Sequence, residues 1–235
     1  MGFIKRVARS CSPGQASPKK EESVLAAVRA AKNRHSYHRR RRGGQGSCAH
    51  SNGAPVLGAI DVGTNACRLL IAVPERNLNG ESYAGTVPRV IDSFTANVRL
   101  GESLERTGAI TEAALDRTIA ALKICAARLK RRRVTHVKAI ATEACRRATN
   151  AQELVRRAQT EAGIQLTIVT PEEEARLAAA GCLQLIGGDF EGALIFDIGG
   201  GSTELILVRR DKTLGPIHYD IVAWSSAPVG VVKLA

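Results

Sequence analysis

The chain has 235 residues, of which 44% are hydrophobic, enough for one large or two small α/β units with buried cores. Aromatic residues make up only 3% of the chain, which argues against a protein that stacks single-stranded nucleic acid on exposed rings. A formal net charge of +12 favours a polyanionic partner such as nucleic acid, polyphosphate or an anionic membrane surface, provided that the charge lies on the folded part.

The positive charge lies almost entirely at the start of the chain. Residues 1–56 contain twelve lysines and arginines against two glutamates, a net of +10, which leaves +2 for the rest. This segment has too few large apolar side chains to offset the entropy of ordering, so we predict a disordered basic tail with a short helix at most, near residues 23–34. A solvated arm or a misplaced start codon explains the four arginines at 39–42 more simply than RNA or polyphosphate contact, or an organelle-targeting peptide.

The six cysteines are scattered, with no CxxC pair and no histidine at metal-ligand spacing, so no zinc site is predicted. Cys67, Cys125 and Cys182 lie within apolar patterns and are predicted to be small buried side chains in a reducing cytoplasm. Because no apolar run reaches the roughly 20 residues that cross a bilayer, no membrane span is predicted.

The first predicted elements after the tail are two strands, at residues 55–63 and 67–74, that form a hairpin around the sequence GTNA. A third strand at residues 89–100 is rich in β-branched and aromatic side chains. Gly101 ends it.

A long amphipathic helix is predicted next, from a cap at Thr111 to a basic end at residues 130–133 that suits the negative end of the helix dipole. The pattern then predicts a strand at residues 135–142, a loop at 143–150, a helix at 151–163, a strand at 165–170 and a helix that begins at Pro171. Alternating strands and helices predict a parallel α/β sheet.

Residues 192–210, GALIFDIGGGSTELILVRR, repeat the pattern of the first hairpin. When Asp61 is aligned with Asp197, 136 positions later, Gly63 falls on Gly199 and Leu69 on Leu205. Two copies of one pattern predict an internal duplication. A last strand within residues 215–230 and the start of a helix at residue 231 complete the predicted elements.

The two glycine-rich turns favour anion binding. Glycine permits the positive φ that such a turn requires and a close approach of the backbone, so the turn presents several N–H groups to one phosphate. Hydroxyls at Thr64, Ser202 and Thr203 add donors, and Asp61 and Asp197 stand where they would hold Mg²⁺. One such hairpin is commonly just a turn; the shared pattern of the two is what favours a phosphate site.

Three glutamates, at positions 172–174, open the helix that begins at Pro171. Acidic residues in a first turn stabilise the helix dipole and make local ion pairs, which explains them without any function. A glutamate placed between two phosphate loops would instead orient and deprotonate a water molecule for attack on phosphorus.

The motifs DVGTN, ATEACRRATN, TPEEEARL, FDIGGGSTEL and APVGVVKL, in this order and spacing, resemble the exopolyphosphatase and guanosine pentaphosphate phosphatase family. This family lies within the superfamily of sugar kinases, actin and Hsp70 ATPases. The resemblance implies an α/β, ribonuclease H-like (actin-like) domain present twice, at residues 57–185 and 186–235, after the basic tail at 1–56. Because family members extend further, we expect the second copy to be truncated and the activity of this chain to suffer.

The resemblance also implies roles for individual residues. Glu174 matches the glutamate that activates water, Glu204 an acidic residue that assists through Mg²⁺, and Arg146 an arginine along the phosphate path. Together with the turn chemistry, it assigns phosphate binding to Gly63, Thr64, Asn65, Arg68, Gly199, Gly200, Gly201, Ser202 and Thr203, and metal binding to Asp61 and Asp197.

The implied reaction is hydrolysis of a terminal phosphoanhydride, with Mg²⁺ as cofactor and either inorganic polyphosphate or guanosine pentaphosphate as substrate. The resemblance also implies a cytoplasmic location and a role in the stringent response. Two alternatives stay open: a kinase or ATPase of the same superfamily, and a non-catalytic polyphosphate or RNA binder acting through the basic tail. Nucleic acid is otherwise not an expected partner, and neither is a membrane. The oligomeric state is open, with a homodimer as one option.

Overall fold

The computed structural model of the chain describes residues 4–5, 55–74, 88–186, 190–211 and 219–234. Its strands are β1 (Ile4–Lys5), β2 (Leu57–Val62), β3 (Ala66–Val73), β4 (Arg89–Asn97), β5 (His136–Ala141), β6 (Leu166–Ile168), β7 (Gly192–Ile198), β8 (Thr203–Arg210) and β9 (Tyr219–Ala227). Its helices are α1 (Leu104–Thr107), α2 (Glu112–Arg131), α3 (Glu143–Arg147), α4 (Ala151–Ala162), α5 (Pro171–Cys182) and α6 (Val231–Leu234), with a 3-10 turn at Leu183–Leu185.

The first sheet has five strands in the order β4-β3-β2-β5-β6. Strands β2, β3 and β4 are antiparallel neighbours, whereas β5 joins β2, and β6 joins β5, in parallel. The sheet predicted to be parallel is therefore mixed, because a short turn can only return the chain antiparallel while a helical crossover gives a parallel strand. The carboxyl ends of β2 and β5 lie side by side, with Val62 paired to Ala141.

Helices α2 and α4 cover one face of this sheet. As predicted, Thr111 caps α2: its hydroxyl oxygen accepts from the Ala114 N–H at 3.2 Å. Helix α4 ends at Gly163, whose φ of 66° is the left-handed conformation that ends many helices. The large apolar side chains of this core include Leu69, Ile71, Leu115, Leu122 and Leu154.

Helix α5 contacts both sheets. Leu177 packs with Leu70 and Ile140 on the second face of the first sheet. The next residue of the helix, Ala178, packs with Ile206 of the second sheet. The acidic first turn of α5 is thereby fixed between the two sheets.

The second sheet is antiparallel throughout, in the order β1-β7-β8-β9. Leu205 and Leu207, on β8, are 38% and 36% exposed, whereas Leu69 and Ile71, at the matching positions of β3, are 2% and 0% exposed. Within the described part of the chain, the face that α2 and α4 cover in the first sheet is therefore open in the second.

Residues 143–150 and the predicted tail differ from what the sequence indicated or are only partly described. Residues 143–150, predicted as a loop, contain the helix α3, closed by the Ala148 N–H on the Ala144 carbonyl at 3.1 Å; five residues are too few for an apolar period to show. In the predicted disordered tail, Ile4 pairs with Ile195 and Lys5 with Leu194. Residues 1–3 and 6–54, including the predicted helix at 23–34, lie outside the described residues.

Cys67 and Cys125 are buried, as predicted, and so is Cys145. Cys182, also predicted to be buried, is only half-buried. Among the residues that the structure describes, no helix combines the length and the apolar character that a membrane span requires.

Candidate active site

The turn between β2 and β3, residues 63–65, is named here the first loop. The Gly63 N–H donates to the Ala66 carbonyl at 2.9 Å and closes the turn. The carbonyls of the next two loop residues accept backbone N–H groups of the segment 98–101 at 3.0 to 3.1 Å. With its carbonyls bound on that side, the loop has a fixed conformation at the carboxyl end of β2.

The turn between β7 and β8, residues 199–202, is the second loop. Its closure repeats that of the first, since the Gly199 N–H donates to the Ser202 carbonyl at 2.8 Å. The first two N–H groups of α6 donate to the carbonyls of the first two loop residues at 3.1 and 2.9 Å. The start of α6 therefore holds the second loop in place.

The two loops touch each other, at glycines. A Cβ atom at Gly200 would lie 3.2 Å from Thr64 Cβ, and one at Gly201 would lie 2.6 Å from Thr64 Oγ1. The expectation that these loops need positive φ is wrong: in the described part, the positive-φ glycines are Gly108 and Gly163, both at helix ends. The second and third glycines of the second loop instead allow one backbone to approach the other.

Two of the three hydroxyls predicted as phosphate donors have close partners within the protein. The Thr203 hydroxyl donates to the Val229 carbonyl at 2.6 Å, and the Ser202 hydroxyl is hydrogen-bonded to Glu204. Thr64 Oγ1 makes only a long contact, 3.5 Å, with a buried carboxylate described below. Of the three, Thr64 is the hydroxyl that can most readily turn to a phosphate.

Glu174 and Arg146 form a largely buried ion pair. Arg146 Nη1 donates to Glu174 Oε2 at 2.8 Å and to the Val169 carbonyl at 3.0 Å, and the two side chains are 17% and 8% exposed. The predicted catalytic glutamate is therefore held in one orientation by the predicted arginine.

Glu204, on β8, is buried and lies close to two other carboxylates. Its pKa is raised from the ordinary value of 4.5, first by burial and then by the negative charge of Glu174, with a smaller contribution from Asp197. Hydrogen bonds from Ser202 and Ser226 oppose this shift; Ser226 Oγ donates to Oε1 at 3.0 Å. The charges of two other predicted site carboxylates, on α5 and β7, therefore act on Glu204.

Asp61 is buried at the end of β2, where its Oδ2 lies 3.7 Å from the Arg68 guanidinium. Its Oδ1 is buried and has no hydrogen-bond partner among the described residues. Burying an unpaired carboxylate oxygen is costly unless a cation compensates it, so this atom fits a Mg²⁺ ligand. Across residues 55–74, 88–186, 190–211 and 219–232, no three His, Cys, Asp or Glu side chains converge as a metal site.

Sequence reasoning missed Glu143, the first residue of α3. Its carboxylate is buried against both loops, and Arg147 Nη1 donates to its Oε1 at 3.3 Å. A signal for it existed: Glu143 follows β5, and β5 is the parallel neighbour of β2, so both strands end at the same edge.

The chain resembles a known protein family and solved structures of its members. The model of the Ppx/GppA phosphatase family matches residues 81–235, more than half of the chain. A crystal structure of the Aquifex aeolicus member of that family is 31% identical, with a TM-score of 0.61, over 77% of this chain and 53% of the other.

An exopolyphosphatase from Cytophaga hutchinsonii is also 31% identical, with a TM-score of 0.65, over 76% of this chain and 52% of the other. This chain spans about half the length of both matched proteins.

Proposed function

Because the chain belongs to the Ppx/GppA phosphatase family, we propose that it hydrolyses the terminal phosphoanhydride bond of inorganic polyphosphate, of guanosine pentaphosphate, or of both. The observation that carries this proposal is the contact between the two loops beside the Arg146–Glu174 pair. Two backbone turns that converge from separate sheets would hold a phosphate chain from two sides.

In this mechanism Glu174 acts as general base. Its carboxylate accepts a proton from a water molecule while the water oxygen attacks the terminal phosphorus atom. The P–O bond of the anhydride breaks, the bridging oxygen leaves with the shortened chain, and orthophosphate is released. Arg146 fixes the orientation of the base, since its guanidinium is itself bound to the Val169 carbonyl.

Asp61 and Asp197 are the proposed Mg²⁺ ligands, with Glu204 close by. The unpartnered buried oxygen of Asp61 supports this assignment. Bound Mg²⁺ would supply positive charge to the phosphate oxygens. The backbone of residues 63–65 and 199–202 would orient the chain, with Asn65 exposed at the rim and Arg68 held beside Asp61.

We further infer that the two hairpins are copies of one domain, with boundaries near residues 57–185 and 186–235. Both loops close with a glycine N–H on the carbonyl three residues later. The strand that follows each hairpin also pairs with an irregularity. The register shifts between residues 71 and 72 in the β3–β4 pairing and between residues 207 and 208, 136 positions later, in the β8–β9 pairing. Matching bulges at matching positions support a common origin.

The test is a phosphate-release assay of the chain with each substrate, with MgCl₂ and with EDTA. We expect Glu174→Gln to lower kcat by about 10²–10⁴-fold, because it removes the base and retains the shape. The matched control is Glu172→Gln, on the same helix turn but paired with Arg176 at the surface, and its activity should equal wild type. Near-wild-type release by Glu174→Gln would refute the assignment.

A further inference from the structure

Glu143 lies where the two loops meet, and the proposed reaction has no use for it. The chain reaches it directly from β5, and the Thr142 N–H donates to the Val62 carbonyl at 3.2 Å, which ties the start of α3 to the end of β2. The Glu143 side chain is 7% exposed. A buried carboxylate is thus fixed beside the first loop by backbone bonds.

This carboxylate contacts both loops. Its Oε2 lies 3.5 Å from Thr64 Oγ1 in the first loop. The same oxygen fills the place that a Cβ atom of Gly201 would take in the second loop. An anion therefore already lies against the groups that are proposed to receive phosphate.

The charge of Glu143 is compensated less well than that of Glu174. Arg147, its cationic partner, is shared: Nη1 lies 2.6 Å from Glu105 and 3.3 Å from Glu143. Glu174 has Arg146 at 2.8 Å. An incoming phosphate would thus meet negative charge that Arg147 offsets only in part.

We propose that Glu143 is a specificity-determining residue, which makes the loops bind a phosphate chain that carries divalent cations and reject the uncomplexed anion. This inference rests on the proposed function. Like charges repel strongly where water is excluded, and a divalent cation on the phosphates reverses the sign of the interaction. The orphaned Oδ1 of Asp61, at the base of the same loop, adds to the negative charge that a cation would meet.

The experiment is calorimetric binding of inorganic triphosphate to the full chain, in MgCl₂ and in EDTA. For wild type we expect binding at least about tenfold weaker in EDTA. Glu143→Gln should tighten binding in EDTA by about five- to tenfold, and so narrow the ratio of the two dissociation constants, because it removes the charge and retains the size. Arg147→Gln should widen the ratio, because it removes the compensating cation.

The matched control is Glu153→Gln, whose carboxylate pairs with Arg156 at the surface of α4. This variant leaves the Glu143–Arg147 contact in place, so its ratio of dissociation constants should stay within about twofold of wild type. The inference would be overturned, and the proposed function left standing, if Glu143→Gln had the same ratio of dissociation constants as wild type or bound triphosphate more weakly than wild type in EDTA. If thermal melts show that Glu143→Gln does not fold, an unchanged or narrowed ratio in Arg147→Gln overturns it. Failure of the wild type to bind triphosphate in either buffer would overturn the proposed function and this inference together.

Discussion

Arg146 and Glu174 meet across 2.8 Å, and the same arginine nitrogen is anchored on the Val169 carbonyl at 3.0 Å. The pair joins α3, which follows β5, to the first turn of α5, which contacts both sheets. A buried carboxylate in such a position keeps one orientation for as long as its cation is present.

The first prediction is that Arg146→Gln lowers kcat by about 10²-fold, because Glu174 loses the partner that orients it. It should also lower the free energy of unfolding by about 3 kcal/mol, since the remaining buried charge is uncompensated. Phosphate release and a denaturant titration measure the two effects. The double variant with Glu174→Gln should regain most of the stability and none of the activity; a double variant as unstable as Arg146→Gln would contradict the pairing.

The second prediction concerns the glycines. Gly201→Ala should weaken phosphate binding more than Gly200→Ala. Its Cβ would overlap Glu143 Oε2 and lie 2.6 Å from Thr64 Oγ1, whereas the nearest atom to a Cβ at position 200 is Thr64 Cβ at 3.2 Å. Isothermal calorimetry with inorganic triphosphate measures this order. Gly108→Ala is the control: its φ of 66° disfavours alanine, but no atom lies within 4 Å, so it should cost about 1 kcal/mol of stability and no affinity. The reverse order at 200 and 201 would disprove the contact.

The third prediction is a pH dependence. Because the folded-state pKa of Glu204 lies above its ordinary 4.5, first through burial and then through Glu174, its contribution to stability is complete below about pH 4.5 and is lost as pH rises through the raised pKa. Glu204→Gln should therefore raise Tm at pH 7 by roughly 2–4 °C, as about 1 kcal/mol would. Near pH 4 the two proteins should melt together. If the gain in Tm from Glu204→Gln grew as the pH was lowered, the raised pKa of Glu204 would be contradicted.

The fourth prediction concerns the edge of the first sheet. The carboxylate of Asp92, on β4, forms ion pairs at 2.8 to 3.0 Å with three arginines at the C-terminal end of α2: Arg128, Arg131 and Arg132. Burial alone would raise the pKa of Asp92, but hydrogen bonds from Arg132 and Arg131 hold it below 3.8.

Asp92→Asn should cost about 1–2 kcal/mol, less than a fully buried network because the arginines are partly exposed. The loss should shrink as pH falls towards the lowered pKa, since the wild-type carboxylate then becomes protonated. Urea titrations at pH 7 and pH 3 measure it. Asp92 and its arginines lie away from the two loops, so kcat should be unchanged. A large fall in kcat would contradict a purely structural role for Asp92.

Local pattern was enough for most elements of the fold. The hairpin at 57–73, the capped helix from Thr111 and the helix from Pro171 follow from apolar spacing, turn residues and caps, which act over a few residues. The five-residue helix α3 was not predicted, because it is too short to show a helical period of apolar residues. The mixed direction of the first sheet follows from loop length, which the sequence also contains.

The sequence by itself determined the family and predicted the residues of the candidate site, because each loop is a contiguous motif. Only the tertiary structure decided why Gly200 and Gly201 are glycines, since Thr64 lies far away along the chain and close by in space. It also decided that Thr203 is already bonded, and that Glu143 stands between the loops. Contacts across more than a hundred positions depend on how α5 and the two sheets pack, and no local spacing encodes that packing.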